Sequence, residues 1–299
     1  MSISFKEDHI SQIPALLMLE KFGYTYLTPD EALALRGGNL ANVLLEPVLR
    51  KQLAAINVVQ VSSMRTTVFS EQNITAGIDA LRNIPMDEGF MEASQTVYDL
   101  LTSGKTLEQI VDGDRKSFVM QYIDWKNPRN NVFHVTEEFA VSRTGMTDTY
   151  RPDIVLFVNG IPLCIIECKR PDVKDSIEQA ISQHLRNQKA DGIRSLYLYS
   201  TLLLAINRQE GSYATTATPE KFWARWREQF TDREEEARYR QELERVVNEP
   251  LLDDKLFGER FDYVHRNFED LYKQPVTPSV QDEYLYSLCR PERLLQLMY

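Results

Sequence analysis

Cysteine is scarce in this 299-residue chain: only Cys164, Cys168 and Cys289 occur, in no zinc-binding spacing, and an odd count gives no disulfide framework. Histidine is scarce as well. His9, His134, His184 and His265 are scattered and form no HExxH, so a histidine-built metal site has little support. No stretch approaches the roughly 18 to 20 unbroken apolar residues of a membrane span. The start, MSISFKEDHISQIPALLMLEKF, lacks a basic leader and a small-residue cleavage site. A cytoplasmic protein with no membrane partner is expected. Positive charge is in deficit: 34 Lys and Arg stand against 44 Asp and Glu, a net −10. That argues against a general nucleic-acid coat, because phosphate binding needs concentrated cations, but it leaves room for a local basic surface.

What is present is ordinary for a globular chain, 43% hydrophobic and 26% charged, long enough for one large domain or two smaller ones. Apolar spacing predicts helices over 8–22, 40–56 and 71–82, and another from 97 that breaks at Gly104, so residues 1–120 read as mainly helical. The period then changes. NNVFHVTEEFAVS reads as strand, and DIVLFV and IPLCIIEC are continuous apolar runs on either side of Asn159-Gly160. Continuous rather than alternating hydrophobicity predicts central strands covered on both faces. A helix follows from Asp172 to about Ala190, then strands in SLYLYSTLLLAIN and SYATTA, which close a region of 121–218. Residues 219–299 turn charged and helical. RPERLLQLMY reads as a helix that begins as the sequence stops, so the natural chain is expected to be longer.

Within the apolar hairpin sit Asp153, Glu167 and Lys169, charges that are costly to bury. Glu167 and Lys169 are two apart on a strand and point the same way. A strict two-residue turn at Asn159-Gly160 would pair Val158 with Ile161 and turn Asp153 to the other face. A type I turn with a glycine bulge pairs Phe157 with Ile161 and gathers all three charges, and this turn, with Gly160 at positive φ, is the expectation. Two converging carboxylates repel unless a cation lies between them or one takes up a proton. Oxygen ligands suit Mg²⁺, and a nearby lysine can position the water that attacks a phosphorus. Spacing alone favours the plainer reading, a buried Asp/Glu–Lys salt bridge or a strand end with solvated charges, because D…ExK recurs often by chance.

PDIVLFVNGIPLCIIECKRP resembles the PD-(D/E)xK motif in the form carried by the restriction (R) subunit of type I restriction–modification enzymes. YIDWKNPRNNVFHV, SLYLYSTLLLAINRQEGSYATTATPEKFWARW and LCRPERLLQLMY are similar to that family's flanking segments. The resemblance implies an α/β fold: a PD-(D/E)xK restriction-endonuclease-like core, with a mixed central sheet flanked by helices, between helical N-terminal and C-terminal segments. It implies a Mg²⁺-dependent endonuclease acting on duplex DNA, partnered by methyltransferase and specificity subunits. ATP would be used only by a motor region beyond Tyr299. Asp153, Glu167 and the main-chain carbonyl of Cys168 would hold the metal, and Lys169 would activate the water. The family's Q-x-x-x-Y motif matches Gln183, but Asn187 stands where tyrosine is usual. Gln179, one turn earlier, could substitute for Gln183, and Glu7 or Glu20 could add an acid. Rival readings are a stand-alone repair or recombination nuclease and a catalytically idle docking module.

Other signals are weaker. DLLTSGKT lacks the first glycine of a P-loop, and no strand precedes it, so no ATP site is expected there. Phe222, Trp223, Trp226 and Phe230 have helical spacing that suits core packing. DREEEARYRQELER reads as a solvated helix face. Lys169, Arg170, Lys174, Arg186, Lys189 and Arg194 gather near the hairpin and supply the local basic surface.

Overall fold

The computed structural model describes residues 11–62, 65–250, 255–257, 261 and 275–299. Its first part carries α1 (Ile13–Lys21), β1 (Thr25–Leu27), α2 (Pro29–Ala34) and α3 (Glu46–Ile56). A hairpin of β2 (Val58–Ser62) and β3 (Arg65–Val68) follows, then α4 (Glu71–Arg82), α5 (Phe90–Ser103) and a second hairpin, β4 (Lys105–Val111) with β5 (Asp114–Met120). The middle holds β6 (Phe133–Glu137), the short pair β7 (Val141–Ser142) and β8 (Thr149–Tyr150), β9 (Ile154–Val158) and β10 (Ile161–Cys168). After these come α6 (Ser176–Asn187), α7 (Arg194–Tyr197), β11 (Leu202–Ile206) and β12 (Gly211–Ala214). The last part carries α8 (Arg233–Asn248), α9 (Val280–Leu288) and α10 (Pro291–Met298).

Six strands form one mixed sheet in the order β1-β6-β9-β10-β11-β12. β1 runs parallel to β6 and β10 parallel to β11, while the other neighbours are antiparallel. Every residue of β9, β10 and β11 is buried. This accounts for their continuous apolar runs, because both faces lie under other elements. α6 packs on β10 and β11 through Ile177, Ala180, Ile181 and His184.

The turn at Asn159-Gly160 is the strict two-residue kind, not the bulged one expected. Val158 pairs with Ile161, and both turn residues have positive φ, 52° and 83°. The extra residue enters three positions later. The register shifts between Pro162 and Cys164, so Leu163 is bulged, and from Cys164 onward the pairing runs one residue out of step. Ile166 therefore faces Ile154, and the next residues outward, Glu167 and Asp153, share a face. Proline has no N–H to give the ladder, and the bulge sits beside it.

The turn itself is anchored from outside. The Asn159 carboxamide donates to Tyr122 O (2.9 Å) and Asn131 Oδ1 (2.7 Å), and its Oδ1 accepts from Val132 N–H (2.9 Å). Gly160 O accepts from Leu45 N–H at 2.9 Å. The NPRNN and NG segments thus make a structural joint at the far end of the hairpin from the charges.

Two further expectations fail. SLYLYS is not strand: residues 194–197 are helical, and Leu196 and Tyr197 are buried. Strand pairing starts only at Leu202, where β11 meets Cys164 of β10. Trp223 and Trp226 are not on a helix, because Ala224 and Tyr213 exchange both main-chain hydrogen bonds and hold the segment extended against β12. The helix starts at Arg233, with the Asp232 side chain accepting from Glu235 N–H at 2.8 Å. Both tryptophans still pack on the core, but Phe222 is exposed.

Candidate active site

The end of the β9–β10 hairpin brings Asp153, Glu167, Cys168 and Lys169 together, and α6 lays Gln183 over them. Asp153 Oδ2 accepts from Cys168 N–H at 2.7 Å and faces Lys169 Nζ at 3.4 Å. Lys169 Nζ also donates to the Cys168 carbonyl at 3.1 Å. Gln183 Nε2 donates to Glu167 Oε2 at 2.5 Å, while Glu167 Oε1 is buried with no hydrogen-bond partner. Glu167 is fully buried, but the side chains of Asp153 and Lys169 keep 18% and 13% of their surface exposed, so the site opens to solvent on their side.

Burial and the neighbouring Asp153 carboxylate raise the Glu167 carboxyl well above the usual carboxylate range, with Lys169 and Arg186 opposing the shift. The group therefore favours its protonated form until a cation compensates. Burial also pushes the Cys168 thiol well above its ordinary value, which leaves its carbonyl as the useful donor. Among the described residues no group of three or more His, Cys, Asp or Glu side chains gathers to hold a metal. The donor set is two carboxylates and a main-chain carbonyl, hard oxygens that suit Mg²⁺ with its remaining positions left to water and phosphate. An orphaned carboxylate oxygen beside a second carboxylate fits such an ion. The Lys169 ammonium now bridges Asp153 Oδ2 and Cys168 O, two of the atoms that would ligate the ion, and so stands in for positive charge at that position.

The other sequence candidates separate cleanly. Gln183 joins the site, whereas Gln179 turns back to cap the preceding loop at Lys174 O (2.9 Å). Asn187 is buried; it accepts from Arg186 and donates to the Tyr197 hydroxyl (3.5 Å). Glu7 lies outside the described residues. Glu20 is eight residues beyond Gln12 along α1, about 12 Å up the axis. It is Gln12 that reaches the site, with Nε2 donating to Asp153 O at 2.8 Å. Gln12 carries no local sequence pattern, because it meets the site across a long sequence separation, and the Tyr197 hydroxyl bonds His184 and Asn187 on the neighbouring helix. Gly104 ends α5 and Lys105 starts β4, so GKT joins helix to strand, the reverse of a phosphate-cradling loop.

A mixed six-stranded sheet flanked by helices, with paired carboxylates and a lysine at the end of a central hairpin, is an α/β architecture consistent with a nuclease-like core. Residues 4–222 match the family model described as type I restriction enzyme R protein N terminus, and the chain belongs to that family. It is 28% identical over 206 residues to the type I restriction enzyme HindI endonuclease subunit of Haemophilus influenzae, covering 66% of this chain and 18% of that protein. A Methanocaldococcus jannaschii protein bearing the name type I restriction enzyme MjaIXP endonuclease subunit is 27% identical over 228 residues, 74% of this chain and 20% of that protein. The chain thus spans about a fifth of the length of these relatives. Among the described residues no helix is long and apolar enough to cross a membrane.

Proposed function

We propose that this chain is the Mg²⁺-dependent endonuclease region of a type I restriction enzyme R subunit and that it hydrolyses phosphodiester bonds of duplex DNA. The observation that carries this reading is Glu167 Oε1, buried without a donor beside Asp153. A salt bridge between Lys169 and Asp153 pairs two of the three groups and leaves Glu167 as a buried carboxyl that favours its protonated form until a cation compensates. Asp153, Glu167 and the Cys168 carbonyl would hold Mg²⁺, which when bound supplies positive charge to the phosphate oxygens. Gln183 fixes the Glu167 carboxylate through Oε2 and leaves Oε1 for the metal. Lys169 would orient the attacking water and favour loss of its proton. Methyltransferase and specificity subunits would select the DNA, and ATP would act only through a motor region outside this chain.

The test is nicking of supercoiled plasmid at low salt and high protein concentration. Slow nicking that requires Mg²⁺ is expected, and Lys169→Ala should lower its rate by about 10²–10⁴-fold. Equal nicking by both proteins, or nicking indifferent to Mg²⁺, would overturn the assignment. Cutting by this chain alone should be weak, because a net charge of −10 opposes retention of DNA.

A further inference from the structure

Of the basic residues near the hairpin, several are already engaged. Arg170 pairs with Asp172, and Lys174 lies 3.9 Å from Asp175. Arg143 bonds Asp148 and Asp191, while Arg194 donates to Gln188 O and lies over Phe90. Arg186 differs. It has no acidic partner among the described residues, and it is exposed. Its guanidinium is nonetheless held in place on two sides. Nε and Nη2 both donate to Asn187 Oδ1, at 3.3 and 3.2 Å, and its carbon lies 4.4 Å from the centroid of the Tyr150 ring. Tyr150 is itself fixed by Arg143, at 4.5 Å from the same centroid.

The Asn187 end of this brace runs into the core. His184 Nε2 lies 3.0 Å from Leu204 O and so carries the proton, which leaves Nδ1 to accept from the Tyr197 hydroxyl at 2.9 Å. The hydroxyl oxygen then accepts from Asn187 Nδ2. Each group orients the next, from the backbone of β11 out to Arg186. A long cation on a surface ordinarily keeps its rotamer freedom and loses it on binding. Here that ordering is already done, and an arginine fork is suited to phosphate oxygens.

We propose that Arg186 is a preorganised contact for a backbone phosphate of the DNA strand that enters the Asp153–Glu167 site. The inference rests on the nuclease reading of that site and deepens it. Arg186 stands three residues after Gln183 on α6, where such neighbours share a helix face, and its charge already acts on Glu167.

The experiment measures binding of a short fluorescein-labelled duplex to the 299-residue chain across a salt series without divalent metal, alongside Mg²⁺-dependent nicking over a range of DNA concentrations. Arg186→Ala should weaken binding about tenfold and lower the slope of log K against log salt by about one. Arg186→Lys should retain the slope and part of the affinity. Arg240→Ala, on an arginine already bonded to Glu236, should change neither. In nicking, Arg186→Ala should raise KM and leave kcat within about twofold, which loss of a purely electrostatic influence on Glu167 would not do. Unchanged binding and slope in Arg186→Ala overturns the inference even if Lys169→Ala abolishes nicking and so upholds the nuclease. Arg186-dependent binding without any nicking keeps the phosphate contact and removes the catalysis. A wild-type chain that holds no duplex at low salt removes the contact.

Discussion

Glu167 and His184 are two fully buried titratable side chains on adjoining elements, and they respond to pH in opposite senses. The Glu167 carboxyl is raised above its ordinary 4.5, so the stability linked to it is complete below that pH and is lost as pH climbs toward the raised value. His184 is lowered from 6.5 to about 4 by burial, so its contribution is complete above 6.5 and is lost as pH falls toward 4. The histidine's full loss is about 3 kcal/mol. In EDTA the unfolding free energy from urea titrations should therefore fall on both sides of a maximum. Glu167→Gln should remove the decline on the alkaline side and exceed the wild type at neutral pH. Mg²⁺ should stabilise the wild type and leave the variant unmoved. A variant weaker than the wild type at neutral pH in EDTA would show that ionised Glu167 does not destabilise the metal-free fold, and a wild type blind to Mg²⁺ would show that the carboxylates hold no cation.

At the scale of elements, the hairpin and α6 each hold the site through a distant joint. Gly160 has φ +83°, and a Cβ there would lie 2.6 Å from Leu45 O. Gly160→Ala should cost about 1–3 kcal/mol, read as a lower denaturation midpoint, since neither backbone can yield without breaking the Leu45–Gly160 hydrogen bond. Tyr197→Phe leaves His184 Nδ1 buried without a donor and should cost about 1–2 kcal/mol; a change near zero would mean that water replaces the hydroxyl. These elements also mark how far the sequence could be read. The helix at 71–82 and the two runs around Asn159-Gly160 were legible because burial on one or both sides writes itself as apolar spacing. The bulge at Leu163 was not, because an unbroken apolar run looks the same in either register, and Pro162 alone hinted at it. SLYLY carries strand-like residues, but Arg194–Tyr197 coils into a short helix and the Tyr199 hydroxyl bonds to Leu81 O at 2.8 Å. Of the candidate site, the three hairpin charges and Gln183 could be found from spacing and resemblance. Gln12 could not, since tertiary packing alone brings it there.

Over the whole molecule, the sheet that carries the site depends on both ends of the described chain. β1 supplies its outermost strand beside β6, and Gln12 bonds the main chain of Asp153. From the other end, the Tyr284 hydroxyl donates to Gly211 O at 2.5 Å and Tyr284 packs against the same glycine. The two ends also meet: Ser11 Oγ donates to Gln281 Oε1, Gln281 Nε2 returns to Ser11 O, and the Tyr24 hydroxyl donates to Cys289 O. One continuous apolar cluster runs from Ile13 through the central strands to Met298. A fragment of residues 121–218 would keep β6 and β9–β12 but expose their buried faces and leave Asn159 without the Tyr122 neighbourhood that α4 packs. Tyr122 donates to Gly77 O at 2.7 Å, a partner the fragment lacks. Such a fragment should express as insoluble or partly folded protein, whereas the 299-residue chain should unfold in a single cooperative transition that circular dichroism and tryptophan fluorescence report alike. A soluble fragment with dispersed amide resonances would show that the strands around the Asp153–Glu167 pair fold without their helical cover. In that case the site's geometry would be a property of the hairpin and α6, and the long-range bonds from Gln12 and Tyr284 would only trim it.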